Sequence, residues 1–340
     1  MTPPPDHPVI PPRKVGVLLI NLGTPEAAEP RAVRRYLAEF LSDRRVVEIP
    51  RLVWQPILRG AILTTRPKKS AHAYAQVWSE AGSPLAAITR AQAEALKDAF
   101  GPGVLVDWAM RYGRPAIGER LQALKDAGCE RILVAPLYPQ YCAATTATAN
   151  DKAFAHLAGM RWQPAIRTLP PYHDDPAYIE ALRQSVEEQL AALGFEPQAI
   201  LASFHGMPQR TLALGDPYHC HCQKTGRLLG EALAPVLAGR ELIVTFQSRF
   251  GRAKWLEPAT DTVLAALPGR GVKRVAIVAP GFSADCVETL EELAIRGRET
   301  FEEAGGTDFA ALACLNASPI GIEMLRSIVQ RELAGWTATP

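Results

Sequence analysis

The sequence predicts an α/β fold of two similar lobes, each a parallel sheet covered by helices, with a cleft between them. Three observations carry this expectation. Apolar runs such as VGVLLIN (15–21) and VLVDWAM (104–110) are continuous rather than alternating and end in Gly and Pro, as in strands buried on both faces. Helical stretches lie between such runs, and a strand–helix–strand alternation builds parallel sheets. The run LPPYHDDP (169–176) is the sharpest composition break in the 340-residue chain. It divides the chain into a 14–170 lobe and a 171–335 lobe, each of ordinary domain size.

The elements follow in order. Residues 1–13 are Pro-rich, lack the apolar core of a secretory signal, and read as a flexible arm. The first strand, 15–21, runs into Leu22-Gly23-Thr24-Pro25, and a helix is expected over 30–41. Residues 43–50 are a turn or short extended segment, opening a lip over about 43–70. Helices at 71–77 and 88–100 are separated by a break at Ser83-Pro84. Strands at 104–110 and 131–137 flank a helix at 117–127, which Gly128 caps. In the second half, a long helix (177–193), strands at 199–204, 242–247, 275–279 and 310–315, and helices at 225–238 and 320–333 complete the pattern.

The totals exclude several classes. A net charge of +2 gives no basic patch for nucleic acid. Six cysteines without a secretory signal point to a reducing cytoplasm rather than a disulfide framework. No run approaches the ~18 to 20 apolar residues of a spanning helix. The segment LVWQPILRGAILTT (52–65), with Arg51 before it and Arg66, Lys68 and Lys69 after it, fits either a membrane surface or a packed helical hairpin. GxGxxG, GxxxxGK[ST] and GxSxG are all absent, which removes the default dinucleotide, P-loop and hydrolase readings.

Polar and aromatic residues gather at strand ends, where open α/β sheets bind ligands. His205 directly follows the 199–204 strand, where an imidazole serves as general base, metal ligand or satisfied core group. Gly206 beside it leaves room for a large ligand to approach. Glu288 and Glu292 are spaced i,i+4 after the 275–279 strand, so their carboxylates share a helix face, while Glu291 is expected on a solvated surface. His219-Cys220-His221-Cys222 fits a zinc site poorly, because structural zinc ligands are spaced C-x₂₋₄-C. Reduced surface cysteines in a loop are the plain alternative.

Taken together, NLGTP (21–25), MRYGRP (110–115), LYPQY (137–141), SFHGMP (203–208), FQSRFGRAKWLEPAT (246–260) and PGFSADCVETLEE (280–292) resemble the ferrochelatases, in order and at similar spacing. LSDRRVVEIP (41–50) and GSPL (82–85) are similar to the bacterial forms. The resemblance implies a chelatase-like pair of Rossmann-like lobes with four-stranded parallel sheets and the active-site cleft between them. It implies insertion of Fe²⁺ into protoporphyrin IX, the final step of haem synthesis. His205 would be proton acceptor or metal donor, Glu288 proton relay and metal guide, and Glu292 a further metal contact. Leu22, Ser83, Arg111, Tyr112, Trp255 and Phe282 would contact the porphyrin.

The residue types suit that chemistry. A flat apolar macrocycle needs aromatic walls, and two pyrrole protons must leave as the metal enters. Where some relatives have His, this chain has Cys286, and Ala294 and Arg296 replace acidic residues further along the helix. Some bacterial relatives hold a [2Fe–2S] cluster through internal cysteines, for which Cys220 and Cys222 are the candidates. Expected partners are the porphyrin and ferrous iron, with the chain a monomer or homodimer, cytoplasmic or peripheral on the inner membrane through 52–65. Competing readings are a coproporphyrin ferrochelatase or cobaltochelatase of the same fold, and a non-catalytic haem-binding protein.

Overall fold

The computed structural model describes residues 14–240, 242–251 and 253–337. The expected 1–13 arm lies outside the described residues. Among the described residues eight strands form two sheets, all parallel: β1 (Lys14–Gly23), β2 (Val104–Tyr112), β3 (Cys129–Pro136) and β4 (Ala165–Thr168) in the order β2-β1-β3-β4, then β5 (Ala199–His205), β6 (Leu242–Gln247), β7 (Arg274–Val278) and β8 (Asp308–Ala311) in the order β6-β5-β7-β8. The two halves therefore repeat one topology, and β5 occupies in the second sheet the place of β1 in the first.

The period of two in a strand explains why these runs are apolar throughout. Val15, Val17 and Leu19 face one core cluster, while Leu18 and Ile20 face another formed with helices Ile117–Asp126 and Thr148–Ala158. In the second sheet Ile200, Ala202 and Phe204 join the first cluster, and Ala199 and Leu201 turn to the opposite face. One core thus runs continuously between the sheets. The terminal helix Pro319–Glu332 belongs to it through Met324, Leu325, Ile328 and Val329, each worth roughly 1.5–3 kcal/mol of burial.

Local chemistry sets the connections. Asp175 caps helix Pro176–Ala191 by accepting the Ala177 N–H at 2.9 Å, with Pro176 at the first position. The same carboxylate pairs with Arg331 of the terminal helix. Strand β4 was not expected: four residues with Arg167 and Thr168 only partly buried leave too little apolar signal. The lip is helical, as Arg51–Ile57, a π-helical turn Leu58–Ile62 and helix Leu63–Val77.

Candidate active site

His205 ends β5, paired in register with Gln247 at the end of β6. Its Nδ1 lies 2.7 Å from the Gly206 carbonyl oxygen, which can only accept, so Nδ1 carries a proton and it is Nε2 that bears the lone pair of the neutral ring. The Tyr218 hydroxyl donates to the His205 carbonyl at 2.9 Å and fixes the backbone. A Cβ at Gly206 would lie 2.5 Å from the Gln247 carbonyl oxygen and 3.4 Å from the Trp255 ring, so strand-to-loop packing itself requires the glycine. Trp255 stands against it, its Nε1–H donating to the Phe250 carbonyl at 2.9 Å, with Arg66 of the lip over the Phe250 ring.

After β7 the chain turns through Phe282 to Asp285, which accepts from the Thr289 hydroxyl at 2.8 Å and the Asn316 amide at 2.6 Å. Glu288–Gly297 then forms a π-helix, a rare form whose bonds run i→i+5 and which recurs at functional sites. The sequence pattern could not distinguish it from an α-helix. Its first residue, Glu288, acts electrostatically on tyrosines of the first lobe. Burial raises the Tyr36 and Tyr74 hydroxyls far above their usual range, and the Glu288 charge raises both further. Burial likewise raises the Cys286 thiol, again with Glu288 adding to it.

Glu291 corrects an expectation: it is buried, not solvated, and pairs with Arg296 at 2.9 Å. Glu292 receives the Ser248 N–H at 2.8 Å and the Ser248 hydroxyl at 2.5 Å. Burial raises its carboxyl above the ordinary value, against the Ser248 bonds, His205 and Arg296.

The remaining predicted contacts divide. Leu22 and Phe282 are partly buried, and Ser83 is buried with its Oγ accepting the Thr24 hydroxyl at 2.7 Å. Tyr112 has no exposed surface to offer a substrate; its hydroxyl donates to Asp43 at 2.8 Å. Arg111 pairs with the same carboxylate and donates to Thr148 at 2.7 Å. Asp43 was missed by sequence reasoning, though its place beside Arg44 and Arg45 in the LSDRR turn was visible. A cavity of about 470 Å³ lies beside this pair, lined by Glu39, Ser42, Arg59 and Lys152, and includes neither His205 nor Glu288.

The cysteines do not fit an iron–sulfur cluster. Cys220 and Cys222 stand two residues apart on helix Tyr218–Ala232, one exposed and one fully buried, so they point to opposite sides. Cys129, Cys142, Cys286 and Cys314 are all buried, and among the described residues no three His, Cys, Asp or Glu side chains converge on a metal-sized point.

Two linked parallel sheets with site residues at their carboxyl ends define a two-lobed chelatase fold. SirB from Bacillus subtilis with Fe3+ shares it at a TM-score of 0.56 and 13% identity, over 95% of this chain and 97% of that one. The family model for ferrochelatase matches residues 14–333. The ferrochelatase of Rhizobium meliloti (strain 1021) is 56% identical over 335 residues, covering 97% of this chain and 98% of that protein. That of Agrobacterium fabrum is 54% identical over 98% and 97%. The chain belongs to the ferrochelatase family.

Proposed function

We propose that the chain inserts Fe²⁺ into protoporphyrin IX to form protohaem, with His205 and Glu288 as its working groups. The observation that carries the assignment of roles is the His205 tautomer. With Nδ1 donating to the Gly206 carbonyl, Nε2 is the free acceptor, suited to take a pyrrole proton or to face the incoming metal. Glu288, on the opposite wall among Tyr36, Tyr74 and Cys286, is the second acceptor and guides the cation. Trp255, Phe282 and Leu22 supply apolar walls, and the Thr24–Ser83 hydroxyl pair supplies a polar contact for the macrocycle rim. Arg111 acts through Asp43 by holding the lip.

The assay is direct. Wild-type protein given Fe²⁺ and protoporphyrin under anaerobic conditions produces the haem absorbance band. His205→Ala and Glu288→Gln lose turnover by about 10²–10⁴-fold, the usual weight of a positioned acid or base, while still quenching porphyrin fluorescence. Failure of the wild type to form haem overturns the reading.

The lip supports a peripheral membrane contact on the cytoplasmic side. Leu52 is 93% exposed and Val53 56%, with Ile49 and Ile57 beside them and Arg51 and Arg59 interleaved. Apolar side chains edged by cations suit an anionic bilayer surface. Among the described residues no helix is long and apolar enough to cross a membrane. Flotation with anionic vesicles tests this: Leu52→Glu with Val53→Glu abolishes it, and unchanged flotation refutes the contact.

A further inference from the structure

Glu292 carries the sequence signal of a metal ligand, yet both its oxygens are engaged elsewhere. Oε1 accepts the Ser248 backbone N–H and Oε2 the Ser248 hydroxyl. Ser248 follows β6 at φ 64°, a left-handed conformation that a residue other than glycine keeps only when its surroundings hold it. One residue earlier, Gln247 donates to the Glu288 carbonyl at 3.0 Å and accepts the Ser203 hydroxyl at 2.8 Å. The turn is thus fastened to the π-helix at two consecutive positions.

From Ser248 the loop returns to the end of β5. The Gln209 N–H donates to the Lys254 carbonyl at 2.8 Å, and the Leu256 N–H donates to the Met207 carbonyl at 2.9 Å. Trp255 is thereby pressed over Gly206, one residue from His205. On the far side, Arg296 lies 2.9 Å from Glu291 and 3.9 Å from Glu292. A divalent ion moving along this face of the helix meets a guanidinium charge already paired with the carboxylates it would need.

We propose that Glu292 is a positioning residue that holds Ser248 in its left-handed turn and so sets Trp255 beside His205, and that ferrous iron reaches His205 and Glu288 without passing through it. The proposal rests on the ferrochelatase reading above and reassigns one residue within it.

The test separates the KM for porphyrin from the KM for Fe²⁺ in the full chain, alongside porphyrin affinity by fluorescence quenching. Glu292→Ala raises the porphyrin KM about tenfold, in line with loss of a charge-assisted hydrogen bond, and leaves the Fe²⁺ KM within about twofold. Glu292→Gln regains most of that loss, because its carbonyl accepts the Ser248 N–H and its amide donates to the Ser248 oxygen. In a Ser248→Gly background, Glu292→Ala adds little, since glycine takes the positive φ unaided. Should Glu292→Ala fail to fold, Ser248→Ala shows the same split at about threefold, because only one hydrogen bond is lost. A rise in the Fe²⁺ KM in both Glu292 variants, with the porphyrin KM unmoved, overturns the proposal. If the wild type forms no haem, only the enzymatic reading falls, and the affinities decide. A weakened Glu292→Ala rescued by Gln supports the positioning role, and equal affinities overturn it.

Discussion

The Tyr112 hydroxyl donates to the Asp43 carboxylate across 2.8 Å, joining the end of β2 to the turn that begins the lip. Thr148 and Arg111 converge on the same carboxylate, and the Arg111 and Asp43 side chains are only 12% and 11% exposed. Burial alone would raise the Asp43 carboxyl. Hydrogen bonds from Thr148, the Arg45 N–H and Tyr112, with the Arg111 charge, hold it below its ordinary value instead. The pair therefore contributes stability that is complete above about pH 4 and is lost as the pH falls through the lower folded value. Asp43→Ala leaves a nearly buried guanidinium uncompensated and costs about 3 kcal/mol in urea unfolding. A loss below about 0.5 kcal/mol, the range of an ordinary surface substitution, refutes this account.

Gly206→Ala places a methyl 2.5 Å from the Gln247 carbonyl, a backbone atom that cannot swing aside. The expected cost is about 1–3 kcal/mol, together with a weaker porphyrin affinity as Trp255 shifts. If the glycine existed for ligand access, the variant would keep its thermal stability and lose only binding.

His173, in the connection between the lobes, stacks on His221 with ring centroids 3.6 Å apart and planes 5° from parallel. Burial, then the neighbouring His221, pushes the His173 imidazole down to about 4, with Asp174 opposing and Lys224 adding. A histidine whose folded value is depressed supports folding above its unfolded value of about 6.5 and loses that support as the pH falls towards 4. His173→Phe keeps the stacking and removes the ionisation. Its urea midpoint changes less between pH 7 and pH 5 than that of the wild type, and an identical slope in both proteins contradicts the assignment.

Gln92 sits buried on helix Pro84–Phe100 and donates to the Ser283 carbonyl at 2.9 Å and the Asn316 carbonyl at 3.0 Å, bolting the first lobe to the segment that carries Phe282. Gln92→Leu preserves volume but strands two carbonyls, at about 1–3 kcal/mol. Porphyrin affinity falls with it, measured by fluorescence quenching. Undiminished stability would mean that the lobes do not depend on this bolt.

Apart from β4, the strands of both sheets were legible because burial on both faces leaves continuous apolar runs that few other structures produce. The place of His205 was legible for a related reason, as a polar residue at the end of such a run. Less was legible about the acidic helix. Glu288, Glu291 and Glu292 are nearly alike in sequence, yet the charge of one bears on Tyr36 of the opposite lobe, one is buried against Arg296, and one clasps Ser248. Those differences come from i→i+5 bonding and, for Glu292, from a partner 44 residues away, which no local periodicity reports. Cys220 and Cys222 show the same limit, since adjacency in sequence placed them together and the helix set them apart.

By itself, the order of apolar runs, glycines and polar strand ends determined the two-lobed parallel architecture and the family. Only the tertiary structure decided what each remaining polar group touches. Asp43 gathers Arg111, Tyr112 and Thr148, Gly206 yields space to Gln247 and Trp255, and Glu292 holds Ser248. The physical reason is that burial is a property of a residue type repeated along a strand, whereas a hydrogen bond or ion pair is a property of two residues that folding alone brings within 3 Å.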